Sequence, residues 1–313
     1  MTQLAVVVPA YNEAAVLAEF HRRLRATLDA LGLPHRVLYV DDGSRDGTWS
    51  VIESLLAGDA AVGALRLSRN FGKEAALTAG LDHCDADAVV VIDADLQDPP
   101  ELIPQLVAAW REGYDVVYAT RDGRAGESGL KRFTSAAFYR AMERLSATPI
   151  PRDTGDFRLL SRRAVLALRQ LRERQRFMKG LFAWIGYRQT AVHFRRDARA
   201  AGGSKWSYWK LSQLAIDGIT SFSAAPLRLA TWLGLATAGL AFAYGIYVFI
   251  RALIWGDPVR GYPTLMLVIL LLGGVQLLAL GVIGEYLGRL FTEAKQRPLY
   301  FVEDERLRGE VDK

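Results

Sequence analysis

Two long uncharged apolar segments near the C-terminus constrain the fold of this 313-residue chain more than any other feature. Leu229–Ile250 and Leu265–Gly284 contain 22 and 20 residues without a charged side chain. At about 1.5 Å per residue, each can cross roughly 30 Å of hydrocarbon as a helix. A soluble domain seldom buries two such runs with only the short loop Arg251–Thr264 between them, so buried core helices are the weaker alternative. The pattern predicts a transmembrane hairpin with helices over 229–250 and 265–286.

Flanking basic residues predict the orientation of this hairpin, because Lys and Arg are enriched on the cytoplasmic side of membrane proteins. The loop between the runs carries only Arg251 and Arg260. The basic residues of the opposite side include Lys205, Lys210, Arg228, Arg289, Lys295, Arg297, Arg306 and Arg308. Residues 1–8 do not resemble a signal peptide. We therefore expect a multi-pass protein of the inner (plasma) membrane with the N-terminal region and both termini in the cytoplasm.

Composition excludes several classes of protein. Hydrophobic residues make up 51% of the chain and charged residues 23%, which is incompatible with disorder or a collagen-like repeat. The single cysteine, Cys84, excludes an intrachain disulfide and a thiolate zinc cluster, and the four scattered histidines argue against a His-based metal site. A net charge of +5 does not by itself indicate nucleic acid, and a basic surface beside an anionic membrane explains it equally well.

The first 200 or so residues alternate short apolar runs with helical spacing, which is typical of βαβ units. The predicted strands are Leu4–Val8, Arg36–Val40, Val62–Leu67, Ala88–Ile92 and Val116–Ala119. The predicted helices are Ala14–Leu31, Asp46–Leu56, Lys73–His83 and Glu101–Glu112. We expect an α/β catalytic domain over residues 1–203 with a mostly parallel sheet, an interface helix over 204–228, the transmembrane helices within 229–288 and a cytoplasmic tail over 289–313. The amphipathic stretch Lys131–Leu145 is a second candidate interface helix, with an ordinary surface helix as the alternative.

Polar residues follow four of the predicted strands, where ligands bind in open α/β sheets. The four polar segments are Pro9–Glu13, Asp41–Ser44, Arg69–Lys73 and Asp93–Asp98. Carboxylates, amides and cations, including Lys73 as a candidate substrate-binding residue, are therefore expected to meet at one edge of the sheet.

The pair Asp93 and Asp95 directly follows the apolar run VVVI. Alternation places both carboxylates on the same side of the chain, where oxygen ligands can hold Mg²⁺ or Mn²⁺ against a diphosphate. A D-x-D occurs about once by chance in a chain of this length, so solvated loop acids are the alternative. The position at the end of a buried strand favours ligation or catalysis.

Other nucleotide and hydrolase motifs are absent from the sequence. No G-x-G-x-x-G follows the first strand, and Gly72-Lys73 precedes Glu74 rather than Ser or Thr, so neither a dinucleotide-binding site nor a P-loop is indicated. G-x-S-x-G and H-E-x-x-H are also missing. These absences disfavour hydride transfer, ATP hydrolysis and serine- or zinc-dependent hydrolysis.

Six segments in order resemble the family-2 glycosyltransferases. They are VVPAYNE (Val7–Glu13), VDDGSRDGT (Val40–Thr48), SRNFGKEAALTAG (Ser68–Gly80), DADLQDPPE (Asp93–Glu101), TGDFRLLSR (Thr154–Arg162) and RAAGGSKW (Arg199–Trp206). The resemblance covers about residues 4–290 and is closest to the polyprenyl-phosphate glycosyltransferases, which include dolichol-phosphate mannose synthases and bactoprenol glucosyltransferases. It implies a GT-A-type, Rossmann-like domain.

The resemblance also implies roles for individual residues. Those bordering the nucleoside would be Pro9, Tyr11, Glu13 and Asp42, with Asp41 beside them. Asp93, Asp95 and Gln97 would hold the metal and the donor diphosphate, and Arg199, Ser204 and Lys205 would lie on a mobile segment that closes over it. Local alternatives remain, because Asn12, Glu13, Asp46 and Thr48 are also typical helix-capping residues. For Lys205 the alternative is a contact with a lipid headgroup next to the membrane helix.

A lipid phosphate is already anionic near neutral pH and can attack the anomeric carbon without a protein base, with inversion. The candidate catalytic residues are Asp95, Asp156, Arg199 and Lys205. The candidates to hold the acceptor phosphate are Arg121, Lys131, Arg132 and Arg158. Asp156 would orient the sugar or the acceptor, or would simply be a buried acid paired with Arg158.

Two other functions are alternatives. A processive polysaccharide synthase would be expected to have a Q-x-x-R-W segment, which Gln170 and Gln175 do not begin, and more membrane helices. A nonenzymatic membrane module that binds nucleotide-sugar would not need Asp93 and Asp95 together. The expected partners are a UDP- or GDP-linked sugar, a polyprenyl phosphate and the lipid bilayer, with no nucleic acid. The donor sugar and the oligomeric state, with a homo-oligomer as one option, stay open.

Overall fold

The computed structural model describes residues 3–121, 154–174, 176–194, 225–255 and 261–307. The chain divides into two compact units. The first comprises Met1–Glu143, Thr148–Ser207 and Arg297–Lys313, and the second comprises Arg144–Ala147 and Tyr208–Gln296. Each unit is described by itself below.

The first unit is built on one mixed sheet. Its described strands are β1 (Leu4–Ala10), β2 (His35–Asp41), β3 (Val62–Leu67), β4 (Ala88–Val91), β5 (Val116–Arg121), β6 (Thr154–Ser161), β7 (Gln189–Phe194) and β8 (Val302–Arg306). Their order across the sheet is β7-β5-β6-β4-β1-β2-β3-β8. β1 pairs in parallel with β2 and β4, β2 with β3, and β5 with β7. β6 is antiparallel to β4 and β5, and β8 is antiparallel to β3.

Six helices of this unit lie within the described residues. They are α1 (Leu17–Leu31), α2 (Thr48–Gly58), α3 (Lys73–Asp82), α4 (Ile103–Arg111, after a 3₁₀ turn at Pro100–Leu102), α5 (Arg162–Gln170) and α6 (Met178–Trp184). α1 illustrates their packing, because Leu17, Phe20, Leu24 and Leu28 recur at helical spacing and are all buried. Its C-terminus lies at Gly32, whose φ of 65° is a conformation that glycine adopts without strain.

β1 is covered on both faces: Leu4, Val6 and Val8 belong to the main hydrophobic cluster under α1, α2 and α4, and α3 packs against the opposite face. β1 is buried along its whole length, as expected for a parallel strand covered on both faces. Gly80 allows α3 to approach this strand closely, because a Cβ there would lie 2.3 Å from Val7 Cγ1 and 3.1 Å from Val40 Cγ2. The packing of α3 places its N-terminal residue, Lys73, at the carboxyl ends of the strands.

The structure confirms the predicted α/β class and departs from the sequence predictions in several details. All five predicted strands are present, with ends shifted by no more than two residues. α1 begins at Leu17 rather than Ala14, and residues 14–16 form a turn in which the Glu13 carbonyl accepts the N–H groups of both Val16 and Leu17. The sequence did not predict β6, β7 or β8. β8 lies within the stretch 289–313, which was expected to be a tail. The candidate interface helix Lys131–Leu145 and residues 204–224 of the second candidate lie outside the described residues, and residues 225–228 begin the long helix Ala225–Trp255.

The second unit contains two long helices, α7 (Ala225–Trp255) and α8 (Tyr262–Ala294), which contact one another. By length and composition, Ala230–Tyr247 and Leu271–Ala294 could each cross a membrane. Only 6% and 0% of these windows are buried. Large apolar side chains such as Phe242 and Leu277 remain 72% exposed, which is unusual for a surface facing water. The two helices are consistent with the expected hairpin.

Candidate active site

An open cleft of about 290 Å³ lies at the carboxyl ends of β1, β2 and β4. Seven residues predicted to bind substrate or metal line it, namely Pro9, Tyr11, Glu13, Asp42, Lys73, Asp93 and Asp95. Ala10, Asn70, Gly72, Ala76 and Ala94 complete the lining. The parallel strands β4, β1 and β2 are neighbours, so the segments that follow them converge at one edge of the sheet.

Asp42 fastens the loop 68–72 to the wall of this cleft. Its carboxylate accepts the backbone N–H groups of Phe71 at 2.7 Å and Gly72 at 2.9 Å. Gly43 permits the close approach, since its φ is 64° and a Cβ there would lie 2.4 Å from the carbonyl carbon of Arg69. Burial raises the pKa of Asp42, and these two hydrogen bonds oppose the rise.

The neighbouring Asp41 is fully buried and does not line the cleft. Its Oδ1 accepts the N–H of Ser44 at 3.2 Å, and its Oδ2 lies 3.6 Å from Nε of Arg66. Burial raises the pKa of Asp41, while the contacts with Ser44 and Arg66 counteract it. Asp41 therefore supports the turn that presents Asp42.

Glu13 keeps its carboxylate at the cleft while its backbone is held by the next loop. Its N–H donates to Oγ1 of Thr48 at 2.8 Å, and the N–H of Thr48 donates to Oδ1 of Asp46 at 3.0 Å. The N-cap residue of α2 is Gly47, without a side-chain cap, so the capping alternative for Asp46 and Thr48 is wrong and the two side chains instead tie this loop to Glu13. Burial, followed by the charges of Asp95 and Asp93, raises the pKa of Glu13. The cleft therefore concentrates negative charge.

Lys73 bridges two carboxylates at the centre of the site. Its Nζ donates to Oδ2 of Asp93 at 2.7 Å and to Oδ2 of Asp156. The register of β4 and β6 explains why Asp93 and Asp156 face each other. Val91 pairs antiparallel with Arg158, and Asp93 lies two residues after Val91 while Asp156 lies two residues before Arg158. Asp156 is 13% exposed and Lys73 44% exposed, so the lysine remains accessible from the cleft.

The three groups shift one another's protonation. Burial raises the pKa of Asp93, and Lys73 opposes the rise. Burial also disfavours the Asp156 carboxylate, but Lys73 and Lys179 outweigh it and lower its pKa. Burial disfavours the Lys73 ammonium, but Asp156 and Asp93 raise its pKa above the ordinary value. Lys73 and Asp156 are accordingly charged at neutral pH.

The donor set at Asp93 and Asp95 fits a hard divalent cation. Asp95 Oδ1 accepts the N–H of Gln97 at 3.0 Å across a turn in which Leu96 has a φ of 58°. No group of three or more His, Cys, Asp or Glu ligands occurs among the described residues. Mg²⁺ and similar ions commonly bind through one or two carboxylates and complete their shell with substrate phosphates and water. Two carboxylates beside an accessible lysine match that mode, and a ligand role for the Gln97 side chain stays a prediction.

Arg158 lies beneath the site rather than in it. It is 3% exposed, its guanidinium stacks 3.8 Å above the ring of Phe182, and burial lowers its pKa to about 10. It donates to the carbonyl oxygens of Gly155 at 2.8 Å and Asp156 at 3.3 Å. The alternative in which Asp156 pairs with Arg158 is wrong, because the Asp156 carboxylate pairs with Lys73. Arg158 instead orients the backbone that carries Asp156.

Two further ionisable residues border this cluster and were missed from the sequence. The Glu74 carboxylate accepts the N–H of Met178 at 3.3 Å, and burial, followed by the charge of Asp156, raises its pKa to about 7. Burial lowers the pKa of Lys179, and Asp156 partly restores it. In the sequence, only Lys179 gave a signal, because it lies inside the apolar run FMKGLF. A charged residue in such a run is usually paired with an opposite charge.

The remaining predicted residues are not brought together by the described part of the chain. Arg121 is the last residue of β5, and its side chain is not described. Lys131, Arg132, Arg199, Ser204 and Lys205 lie outside the described residues. Their roles stay predictions.

Comparison with known proteins identifies the class of this fold and site. The sequence profile described as "Glycosyl transferase family 2" matches residues 5–169, and the "GtrB C-terminal hairpin" matches residues 225–290. An uncharacterized glycosyltransferase of Synechocystis sp. is 51% identical over 302 residues, covering 96% of this chain and 95% of that protein. A bactoprenol glucosyl transferase of Shigella phage SfV is 45% identical over 304 residues, covering 97% and 99%.

The protein is therefore a glycosyltransferase whose α/β domain carries an acidic cleft. More narrowly, the chain belongs to glycosyl transferase family 2, as the resemblance of its motifs indicated. The hairpin match and the two apolar helices associate it with the membrane.

Proposed function

We propose that this protein transfers a sugar from a nucleotide-sugar to a polyprenyl phosphate, with inversion and with the help of a divalent cation. The observation that carries the proposal is the group of Asp93, Asp95 and Lys73 in a cleft beside the Asp42-bound loop, with Asp156 paired to Lys73. Support for the acceptor comes from relatives of nearly full length named bactoprenol glucosyl transferase. The product would be a polyprenyl-phospho-sugar for modification of cell-envelope glycans.

In this proposal Asp93, Asp95 and Gln97 would hold Mg²⁺ or Mn²⁺ beside the donor diphosphate. When bound, the ion supplies positive charge that stabilises the leaving group. An anionic oxygen of the acceptor phosphate attacks the anomeric carbon, and the bond to the diphosphate oxygen breaks with its electron pair leaving on the nucleoside diphosphate. No proton transfer is required. Attack opposite the leaving group inverts the anomeric centre.

The protein's own residues position the two substrates and neutralise their negative charge. Lys73 lies between Asp93 and Asp156 and neutralises part of the negative charge of these acids and of the donor diphosphate. Asp156 orients the sugar or the acceptor. Pro9, Tyr11, Glu13 and Asp42 border the nucleoside. Arg121, Lys131 and Arg132 would hold the acceptor phosphate, while the buried Arg158 would act through the backbone that carries Asp156. Arg199, Ser204 and Lys205 would close over the diphosphate.

The proposed arrangement in the membrane follows the distribution of basic residues. The catalytic domain, taken as residues 1–203, and both termini would face the cytoplasm, with helices within 229–288 crossing the inner (plasma) membrane. This arrangement brings a cytoplasmic nucleotide-sugar and a membrane-embedded polyprenyl phosphate to one enzyme.

The test combines product identification with a matched pair of variants. Purified protein is incubated with a panel of UDP- and GDP-linked sugars, a polyprenyl phosphate and Mg²⁺ or Mn²⁺, and the glycolipid is identified by its mass. Asp95→Asn removes one anionic ligand while preserving shape, so transfer should fall by about 100-fold. The control Asp85→Asn makes the same change at a side chain that is 80% exposed, and it should retain activity.

Each contrary result has a definite meaning. Full activity of the wild-type protein in chelator would refute metal dependence. A polymeric product would indicate a processive synthase instead. Transfer to a soluble acceptor, with none to the polyprenyl phosphate, would refute the proposed acceptor.

A further inference from the structure

The chain after α8 returns to the catalytic sheet. We call residues 297–307 the return segment. Within it the edge strand β8 pairs antiparallel with β3, with Ala64 opposite Arg306 and Arg66 opposite Asp304. These residues lie outside both family matches, which cover 5–169 and 225–290.

The return segment contacts the loop 68–72, which we call the donor loop. The Ser68 N–H donates to the carbonyl oxygen of Phe301 at 3.0 Å. The rings of Phe71 and Phe301 lie 6.3 Å apart at a tilt of 54°, within the range of favourable aromatic pairs. Phe71 in turn donates its N–H to Asp42. A continuous set of contacts thus joins Phe301 to an acid that lines the cleft.

A second set of contacts joins β8 to the buried Asp41. Arg66 Nε lies 3.6 Å from Oδ2 of Asp41 and 3.5 Å from Oε2 of Glu303. The guanidinium groups of Arg66 and Arg306 lie 5.5 Å and 5.4 Å from the ring of Trp49. β8 therefore contributes an acid and a cation to the cluster that holds Asp41.

The return segment is also anchored away from the donor loop. Tyr300 Oη donates to Oδ2 of Asp82 at 2.9 Å, and Arg172 holds the same carboxylate oxygen at 2.7 Å. Arg174 Nε donates to the carbonyl oxygen of Arg297 at 2.9 Å. These anchors on the body of the domain allow the segment to hold the loop in place.

We propose that the return segment is a positioning element for the nucleotide side of the cleft, with Phe301 acting as a positioning residue through Phe71 and Asp42. The inference rests on the proposed function in that the cleft binds a nucleotide-sugar. Phe301 is 56% exposed, so its removal changes little buried area. Its loss should therefore release the donor loop without unfolding the domain.

The first test measures the donor loop without substrate. Amide hydrogen exchange of the full-length protein is compared among wild type, Phe301→Ala and Trp184→Ala. Trp184 is 57% exposed, which matches Phe301, and lies on α6. We expect faster exchange of the Phe71 and Gly72 amides in Phe301→Ala and wild-type exchange there in Trp184→Ala.

The second test separates positioning from general damage by steady-state kinetics. Phe301→Ala should raise KM for the nucleotide-sugar by about 2- to 10-fold, the range expected for loss of one aromatic pair. kcat, KM for the polyprenyl phosphate and the thermal unfolding midpoint should stay at wild-type values. Phe301→Tyr, which keeps the ring, should restore the donor KM.

Unchanged exchange of the Phe71 and Gly72 amides in Phe301→Ala would overturn the inference, whatever the enzyme does. A fall in kcat accompanied by a lower unfolding midpoint would also overturn it, since that is the signature of a structural residue. If wild-type protein uses no nucleotide-sugar, the proposed function fails, and the exchange experiment alone decides whether Phe301 holds the loop.

Discussion

Lys73 is the residue on which the electrostatics of the cleft depend. Its ammonium separates Asp93, which would hold the metal, from Asp156 across the cleft. Two carboxylates that face each other without a cation between them repel and resist full ionisation. Lys73 therefore keeps Asp156 ionised, and it also competes with a divalent cation for Asp93.

These two effects predict opposite consequences of removing the charge. The Lys73→Met variant should bind Mn²⁺ more tightly, because Asp93 is no longer neutralised. It should nevertheless transfer sugar roughly 10- to 100-fold more slowly, since the leaving group and Asp156 lose the positive charge of Lys73. Calorimetric titration with Mn²⁺ and initial rates at saturating metal measure the two effects separately. Weaker Mn²⁺ binding together with an unchanged rate would contradict this account.

Glu74 predicts a pH dependence of stability. Burial and Asp156 raise its pKa from 4.5 to about 7 in the folded protein, with Lys73 and Lys179 opposing the rise. Because the unfolded chain ionises first, wild-type protein loses stability relative to Glu74→Gln as pH rises from about 4.5 through about 7. Above pH 7 this loss in the free energy of unfolding, relative to Glu74→Gln, should be at most about 3 kcal/mol. Thermal unfolding of both proteins at pH 5 and pH 8 measures it, and parallel pH profiles would contradict the prediction.

The sequence predicted which residues line the cleft better than it predicted which side chains pair with one another. Asp42, Asp93 and Asp95 follow apolar strands, and that local signal placed them correctly at the cleft. The pairing of Lys73 with Asp156 joins positions 83 residues apart in the chain. It depends on β6 entering the sheet antiparallel beside β4, which no local pattern reveals.

At the scale of elements, the strands that the sequence missed lack the apolar runs of the central ones. β8 reads VEDER, with four charged residues out of five, and β6 contains Asp156 and Arg158. β8 is a strand because the edge of β3 offers it unpaired backbone groups, and charged side chains are tolerated at a sheet edge. Its strand structure is tertiary in origin, so periodicity could not predict it.

The fit of α3 against β1 gives a prediction about one element. Gly80→Ala would place a methyl group 2.3 Å from Val7 Cγ1, so the helix must shift, and we expect a loss of about 1–3 kcal/mol of stability. Gly58→Ala is the matched control, since α2 leaves open space there and alanine favours a helix. Thermal unfolding of both variants tests the fit. Equal midpoints for the two would show that α3 does not pack as closely as described.

At the scale of the whole molecule, the two units differ in what their surfaces contact. The first unit buries its apolar strands, whereas α7 and α8 expose most of their apolar side chains. Basic residues predict that 1–225 and the chain after Glu285 share the cytoplasmic side, with Arg251–Thr264 opposite.

Cysteine labelling in intact cells tests this topology. In a Cys84→Ser background, Asp257→Cys should react with a membrane-impermeant reagent from outside the inner membrane. Cys84 itself is buried, and burial raises the pKa of its thiol to about 12, so it contributes little background even when present. Exclusive labelling of Asp257→Cys from the cytoplasm would refute the hairpin.

The position of β8 after α8 in the chain also sets an order of events during synthesis. Domains fold as they leave the ribosome, but the edge of β3 stays open until the polypeptide has passed through both apolar helices. A nascent chain that has not yet delivered its hairpin to the membrane therefore still lacks the strand that holds the donor loop. If the return segment holds the donor loop as proposed, the site that binds the proposed nucleotide-sugar would be completed only after both apolar helices have been synthesised.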